Sequence, residues 1–491
     1  MNIGTAALSD VDTAGLYLQV ITTTGAFTID TLDIDDATSY GVRSVGGNTA
    51  EINLGSGAGS LSVDGMPVGL SFEVSHGDVN LGAGTGGLQL RTNSAIGGDG
   101  IAFGANSTGT FNIGSSGASS RVAVTSGSAS ADGIHYLNSD ADVTVTDVAI
   151  SGAGGYGVLI ADDDGTGQVT LTGANTIDGT ALGGVSVSGA NVSLSGFTIG
   201  GTSAVTGTGV SIVDSGLEIV AGLSSVTVSD VLAAGFDIDG SGGGSITLTD
   251  FSNNSVVNAG AGGVSLDTVT FDADGGTAGG GDADSTGDTV SGGSLHVGQG
   301  GTVTGAGVTF TNVSGDVSFG AVDIASIGDA FTVTGTGALD AGAGTGFQLG
   351  AMSGVISSST ELGVYFDLFT ANVTLTSITS NGGQGLVLDG IGGSFTVTGN
   401  VTVNGATANG VDISNSSATV DIQCTTTVTS PGGDCEFHGR CQFPRCHDLH
   451  FRLRDGDERG GRRQLRKSLF GVGCRCDQHQ RCGLRVPGRI L

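Results

Sequence analysis

The sequence predicts an all-β solenoid, a parallel β-helix, and three observations carry that prediction. Of 491 residues, 94 are Gly and four are Pro, and Thr, Ser, Val and Asp crowd out good helix formers. Short period-two runs of apolar and polar residues recur throughout, as in strands with one buried face. A Gly followed by two apolar positions one residue apart opens successive units, as in Gly133-Ile134-x-Tyr136, Gly157-Val158-x-Ile160 and Gly184-Val185-x-Val187. The composition lacks the Pro and the strict three-residue period of collagen, and 38% hydrophobic residues is too much for a plain disordered chain.

The unit recurs from Gly15-Leu16-x-Leu18 to Gly410-Val411-x-Ile413, with weaker copies near Gly41, Gly293 and Gly320. From Gly133 to Gly346 the expected anchors are Gly157, Gly184, Gly209, Gly235, Gly263, Gly293 and Gly320, at a mean step of about 27 residues. Each unit holds two or three alternating runs, such as Val143-x-Val145 and Val148-x-Ile150, separated by small polar turns. Three short strands per coil, one apolar row inward and one Thr/Ser/Asp row outward, stack in parallel about 4.8 Å apart. Some fifteen coils then make a rod on the order of 70 Å long. Gly is expected at tight corners that need positive φ, and Pro is scarce because most N–H groups belong to ladders. Propeller blades need about 40–45 residues each, and antiparallel sandwiches have no fixed repeat.

Units such as Gly157-Val-Leu-Ile-Ala…Val169-Thr-Leu171-Thr…Ile177 and Gly385-Leu-Val-Leu…Phe395-Thr-Val397…Val401-Thr-Val403 resemble right-handed parallel β-helix repeats. The resemblance is to the pectate-lyase-like superfamily, in the style of large bacterial surface and autotransporter-passenger proteins, and covers roughly residues 10–425. It implies a right-handed parallel β-helix solenoid with coils of ~25–28 residues and an extracellular or cell-surface location.

Residues 1–430 and 431–491 differ in kind. The first segment has three cations (Arg43, Arg91, Arg121) against 40 acids, a net charge of −37, with one Cys. The second has 13 cations against seven acids, a net charge of +6, with six Cys, and the total is −31. Zinc or disulfide modules are one reading of Cys435, Cys441, Cys446, His447, Cys474, Cys476 and Cys482, and a basic binding tail is another. The Cys spacings fit no paired zinc-knuckle pattern. The abrupt change of composition reads best as an out-of-frame translation, expected to be disordered. No cationic and apolar leader opens the chain and no apolar run approaches a membrane span, so the sequence is expected to be a piece of a longer reading frame.

The resemblance brings polysaccharide lyases and hydrolases into view, and a polysaccharide-degrading enzyme is the alternative function. A uronate lyase needs a base and cations for an acidic sugar, whereas this body offers three dispersed Arg and no Lys. A glycosidase needs two placed carboxylates; Asp35-Asp36 and Asp162-Asp163-Asp164 come nearest but read as turns. His76, His135 and His296 are scattered, and His135 reads as structural. Phe72, Phe236, Phe347 and Phe366 fall on inward positions and read as core. The outward Thr396-x-Thr398 and Thr402 resemble ice-binding rows but are not expected to be in step between coils. Nucleic acid is disfavoured by the body charge.

Calcium is the one ion that the turn chemistry suits. The body has 36 Asp against four Glu, densest at Asp272, Asp274, Asp282, Asp284 and Asp288, weak Ca²⁺ candidates in the irregular 267–300 region. Solvated turns account for the same residues. The expectation is therefore a non-enzymatic surface scaffold of adhesin-like type, with no catalytic or cofactor-binding residues assigned. Its partners would be surface polysaccharide, other cells or matrix.

Overall fold

The computed structural model describes residues 1–437 except Val20, 23–24, 74–76, 95–97, 105–106, 127–129, 163–166, 274–288, 337–345, 407–409, 424–425 and 430–435. The described residues are strands, bridges and turns, arranged as one parallel solenoid with three strands per coil. One face is a row of sixteen strands from Ala14–Gln19 to Glu436–Phe437. The second and third faces connect into a 29-stranded sheet, because Asn2–Ser9, Phe27–Asp35 and Ser314–Ser326 each run round the corner and belong to both. Fifteen spacings of about 4.8 Å make the first face about 72 Å long.

Alternation sets the core. On the first face Val158, Val185, Val210 and Phe236 pair in register, and so do Ile160, Val187, Ile212 and Ile238; both rows are fully buried. The intervening Leu159, Ser186, Ser211 and Asp237 form the outward row. Phe72, Phe236, Phe347 and Phe366 are all core residues. Aromatic rings follow one another along the axis edge to face, with Phe310, Phe331 and Phe366 at centroid separations of 5.6 and 5.2 Å.

The repeating Gly has a different cause from the one expected. None of Gly133, Gly184, Gly209, Gly235, Gly263 or Gly307 has positive φ. These residues stand where the third face turns into the first, directly beneath the next coil. A Cβ on any of them would lie 2.3–2.6 Å from the carbonyl oxygen of the corresponding residue one coil on. It would also press on an inward aliphatic of the third face: Ile150 at Gly133, Ile199 at Gly184, Val228 at Gly209. Contacts below 3.0 Å leave no place for a side chain. Positive φ, often at glycine as expected, falls at the other turns: after the first face at Thr268, Asn312, Gly335, Leu368, Gly390 and Asn415, after the second at Asp147, Gly173, Gly196, Ser225 and Asn253, and after the third at Gly152, Gly179 and Gly200.

The expected anchors between Gly263 and Gly363 are corrected, while those at Gly363, Gly385 and Gly410 hold. Val264 pairs with Val308, 44 residues on, and Val308 pairs with Phe331. Gly307-Val308-x-Phe310 and Ala330-Phe331-x-Val333 are the true units there. Gly293 lies in a third-face strand, Gly320 in the strand that joins the second and third faces, and Gly346 just before a second-face strand. The expected spacing cuts a long coil at Gly-aliphatic pairs that belong to other faces. Coils also vary more than expected, from the 22 residues between Val364 and Leu386 to these 44.

Outward rows hold short polar ladders. Asn53, Asn80 and Asn112 stack with amide-to-amide hydrogen bonds of 2.7 and 2.9 Å. Thr402 does stack in register between Thr379 and Thr427, contrary to the expectation, but the next residue in that column is Ser357. Buried Asn side chains fix the second-to-third corner. Asn254 Oδ1 accepts from Val226 N of the coil below, and its Nδ2 donates to Leu223 O.

Gly209→Ala is expected to destabilise the solenoid by about 1–3 kcal/mol, the usual penalty for overpacking. Its Cβ would meet Gly235 O and Val228 Cγ1, each at 2.6 Å. Gly47→Ala meets open space at an ordinary φ and should change stability by under about 1 kcal/mol. Denaturant midpoints followed by far-UV circular dichroism compare the two. Equal midpoints would contradict the steric account.

Candidate metal centre

Two consecutive coils place an acid immediately before their anchor glycine, Asp99-Gly100-Ile101 and Asp132-Gly133-Ile134. The ladder that pairs Ile101 with Ile134 and Ala102 with His135 brings these acids together at one edge of the first face. His135, next along from the inward Ile134, points outward above Ala102. Its Nδ1 lies 3.0 Å from Asp99 Oδ2 and 3.5 Å from Asp132 Oδ2. Among the described residues this is the group of three metal-ligating side chains whose donor atoms all lie within 4.8 Å of one another.

Backbone amides hold the other carboxylate oxygens. Asp99 Oδ1 accepts from Asp132 N at 2.9 Å, and Asp132 Oδ1 accepts from Tyr156 N at 2.7 Å, so each acid caps the coil above it. Both Oδ2 atoms are thereby turned toward the imidazole. Asp132 is 3% exposed, and burial, the dominant effect, pushes its carboxyl up to about 6 despite the Tyr156 hydrogen bond. The hydrogen bond with Asp99 raises the His135 pKa more than burial lowers it, and both carboxylates add to the rise.

Other sequence candidates do not converge on a site. Asp272 is half-buried just after strand Val269–Phe271, its amide donating to Leu248 O, while Asp274, Asp282, Asp284 and Asp288 lie outside the described residues. His76, Asp163 and Asp164 lie outside them too, as do the tail cysteines and His447. Asp36 occupies a positive-φ corner and Asp162 is buried. His296 faces Asp323 of the following coil at 3.4 Å on an exposed surface. Near the irregular region, Asp316 Oδ2 accepts from Thr289 Oγ1 and Gln348 Nε2, each at 3.0 Å, and its buried Oδ1 has no hydrogen bond. That is a single carboxylate without a second ligand. An open groove of about 270 Å³, lined by Thr302, Val303, Ser326, Ile327, Ser358 and Asn381, carries no ionisable side chain.

Sequence reasoning treats His135 as structural because its acids stand 3 and 36 residues away. The available signal was the repeated Asp-Gly-Ile, which falls in step with the coil period. Comparison with protein-family models, with curated proteins and with solved structures returns no match. Among the described residues no helix is long and apolar enough to cross a membrane.

The Asp132 pKa, about 6 in the fold against an ordinary 3.8, means that the folded chain binds this proton more tightly than the unfolded one. The stabilising contribution is full below about pH 4 and is lost as pH rises through 6. A raised His135 acts in the same direction, its contribution being lost as pH rises through its folded pKa. The stability of the natural chain relative to Asp132→Asn should fall by roughly 3 kcal/mol between pH 4 and 7. Urea midpoints measured across that range provide the check, and a pH-independent difference would refute the assignment.

Proposed function

We propose that the chain is the shaft of an extracellular or cell-surface scaffold of adhesin-like type, a non-enzymatic member of the right-handed β-helix proteins of surface and autotransporter kind. The observation that carries this reading is the three-faced parallel ladder itself, whose outward rows are Ser, Thr, Asn and Asp rather than a walled cleft. Such a rod separates what it carries at its ends, and its sides offer many weak contacts that become useful when repeated. Two of the three body cations are already engaged across coils. Arg43 pairs with Glu73 at 3.2 Å, and Arg91 forms a two-pronged pair with its register partner Asp64. That arrangement suits a self-contained surface better than capture of an acidic polysaccharide. Partners of this scaffold are neutral surface polysaccharide, matrix or other cells.

The full chain coupled to beads at graded density is expected to retain whole cells or matrix only above a threshold density, as multivalent contact requires. It should release neither reducing sugar nor unsaturated uronate from a polysaccharide panel. Turnover on that panel, or no retention at any density, would overturn the proposal.

A further inference from the structure

The Asp-before-Gly position has a structural use that does not require a histidine. Asp329 stands at the same place before Ala330, and its Oδ1 accepts from Leu362 N at 3.1 Å, capping the coil above as Asp99 and Asp132 do. Three residues on from Asp329 the outward residue is Thr332. Capping therefore accounts for the acids but not for the imidazole placed between two of them.

The hydrogen bonding of this trio leaves a gap. An imidazole Nδ1 carries one proton at most, and that proton serves Asp99 Oδ2 at 3.0 Å. Asp132 Oδ2, on a side chain only 4% exposed, lies 3.5 Å from the same nitrogen, too far to share that proton well. Asp132 Oδ2 thus faces the imidazole and a second carboxylate, with the longer, 3.5 Å ion pair to His135 as its partner among the described residues. A cation bound in place of the Nδ1 proton satisfies all three atoms at once.

We propose that Asp99 Oδ2, Asp132 Oδ2 and His135 Nδ1 form a site for a divalent transition cation of the zinc type. Zinc binds carboxylate oxygen and imidazole nitrogen at about 2.0–2.2 Å, so two ligands of a tetrahedral ion stand about 3.4 Å apart. The nitrogen-to-oxygen separations of 3.0 and 3.5 Å bracket that value. Two carboxylates neutralise the ion, and the backbone amides on the opposite oxygens supply the outer support that ligating carboxylates ordinarily have. The imidazole ligand separates this site from calcium and magnesium sites, which take oxygen donors in larger number. Binding moves the ring proton to Nε2, which has no hydrogen-bond partner among the described residues and belongs to a side chain 24% exposed. Three protein ligands leave a fourth position for water or for a donor from a bound partner. The site would staple two adjacent coils at the edge of the first face.

Titration of the full chain with Co²⁺, followed by visible absorption, tests the proposal without depending on the scaffold function. The expected result is one equivalent giving the intense ligand-field bands of a tetrahedral ion, without a sulfur-to-cobalt charge-transfer band. Zn²⁺ should displace the Co²⁺ and raise the thermal midpoint. His135→Gln and Asp99→Asn should each weaken binding at least ten-fold while circular dichroism remains that of the natural chain. If His135→Gln does not fold, Asp99→Asn decides the matter. Absence of the bands, unchanged affinity in the folded variants, or charge-transfer absorption accounting for the bound metal would overturn it, the last by placing the ion on cysteines instead.

Discussion

Where a coil passes from the third face to the first at an anchor glycine, the backbone of the next coil lies so close that a methyl group on that glycine has no room. The contact is between a glycine α-carbon and a carbonyl oxygen, with an inward Val or Ile of the third face closing the other side. Because the same contact recurs at all but one of the levels from Gly133 to Gly363, axial position is set at one corner, and the other two faces follow from it. Inward rows stay inward because a slip of one residue would reverse every side chain on the face. Ala330 holds the position once, between Gly307 and Gly363.

A stack that repeats its geometry also repeats its charges. Asp239 pairs with Asp267, and Asp367 with Asp389, so carboxylates sit one above another on the first face. The Asp367 carboxyl is held above its usual range by burial first and by the Asp389 charge second. Asp389 is relieved by Ser414 Oγ and Asn415 Nδ2 of the coil beyond, at 3.0 and 2.8 Å. Elsewhere the same coil-to-coil spacing is used for attraction, as in Arg91 above Asp64 and in the Asn53–Asn80–Asn112 ladder. Parallel register makes any outward residue either a neighbour's partner or its competitor.

Much of this was legible in the chain. Period-two runs identify strands because alternation is local, and the inward Phe residues follow from it directly. Anchors at Gly157, Gly184, Gly209 and Gly235 were readable because their coils are of similar length. Between Gly263 and Gly363 the rule fails, since a solenoid does not require equal coils and Gly-aliphatic pairs also occur on the other faces; it holds again at Gly363, Gly385 and Gly410. The role of the anchor glycine was misjudged for a related reason: positive φ is a property of one residue, whereas exclusion of Cβ belongs to two coils. His135 shows the same limit. Nothing within its own coil but Asp132 marks it, and the second acid comes from the turn below. Side chains that meet along the axis are separated in sequence by a whole coil, and only the correct register reveals them.

The 44-residue interval between Val264 and Val308 leaves the first-face pairing undisturbed, Gly262 meeting Ala306 and Asp267 meeting Thr311, while the irregularity is absorbed in Val290–Val297, which pairs with the next coil through two register shifts. Register thus depends on the anchors and is indifferent to the length of chain between them. A lineage carrying such a fold can accept new segments at a corner without re-solving the fold, and lose them as easily. The same indifference makes this interval the natural place for an engineer to graft a foreign loop, with the ladders above and below serving as an unaltered mount.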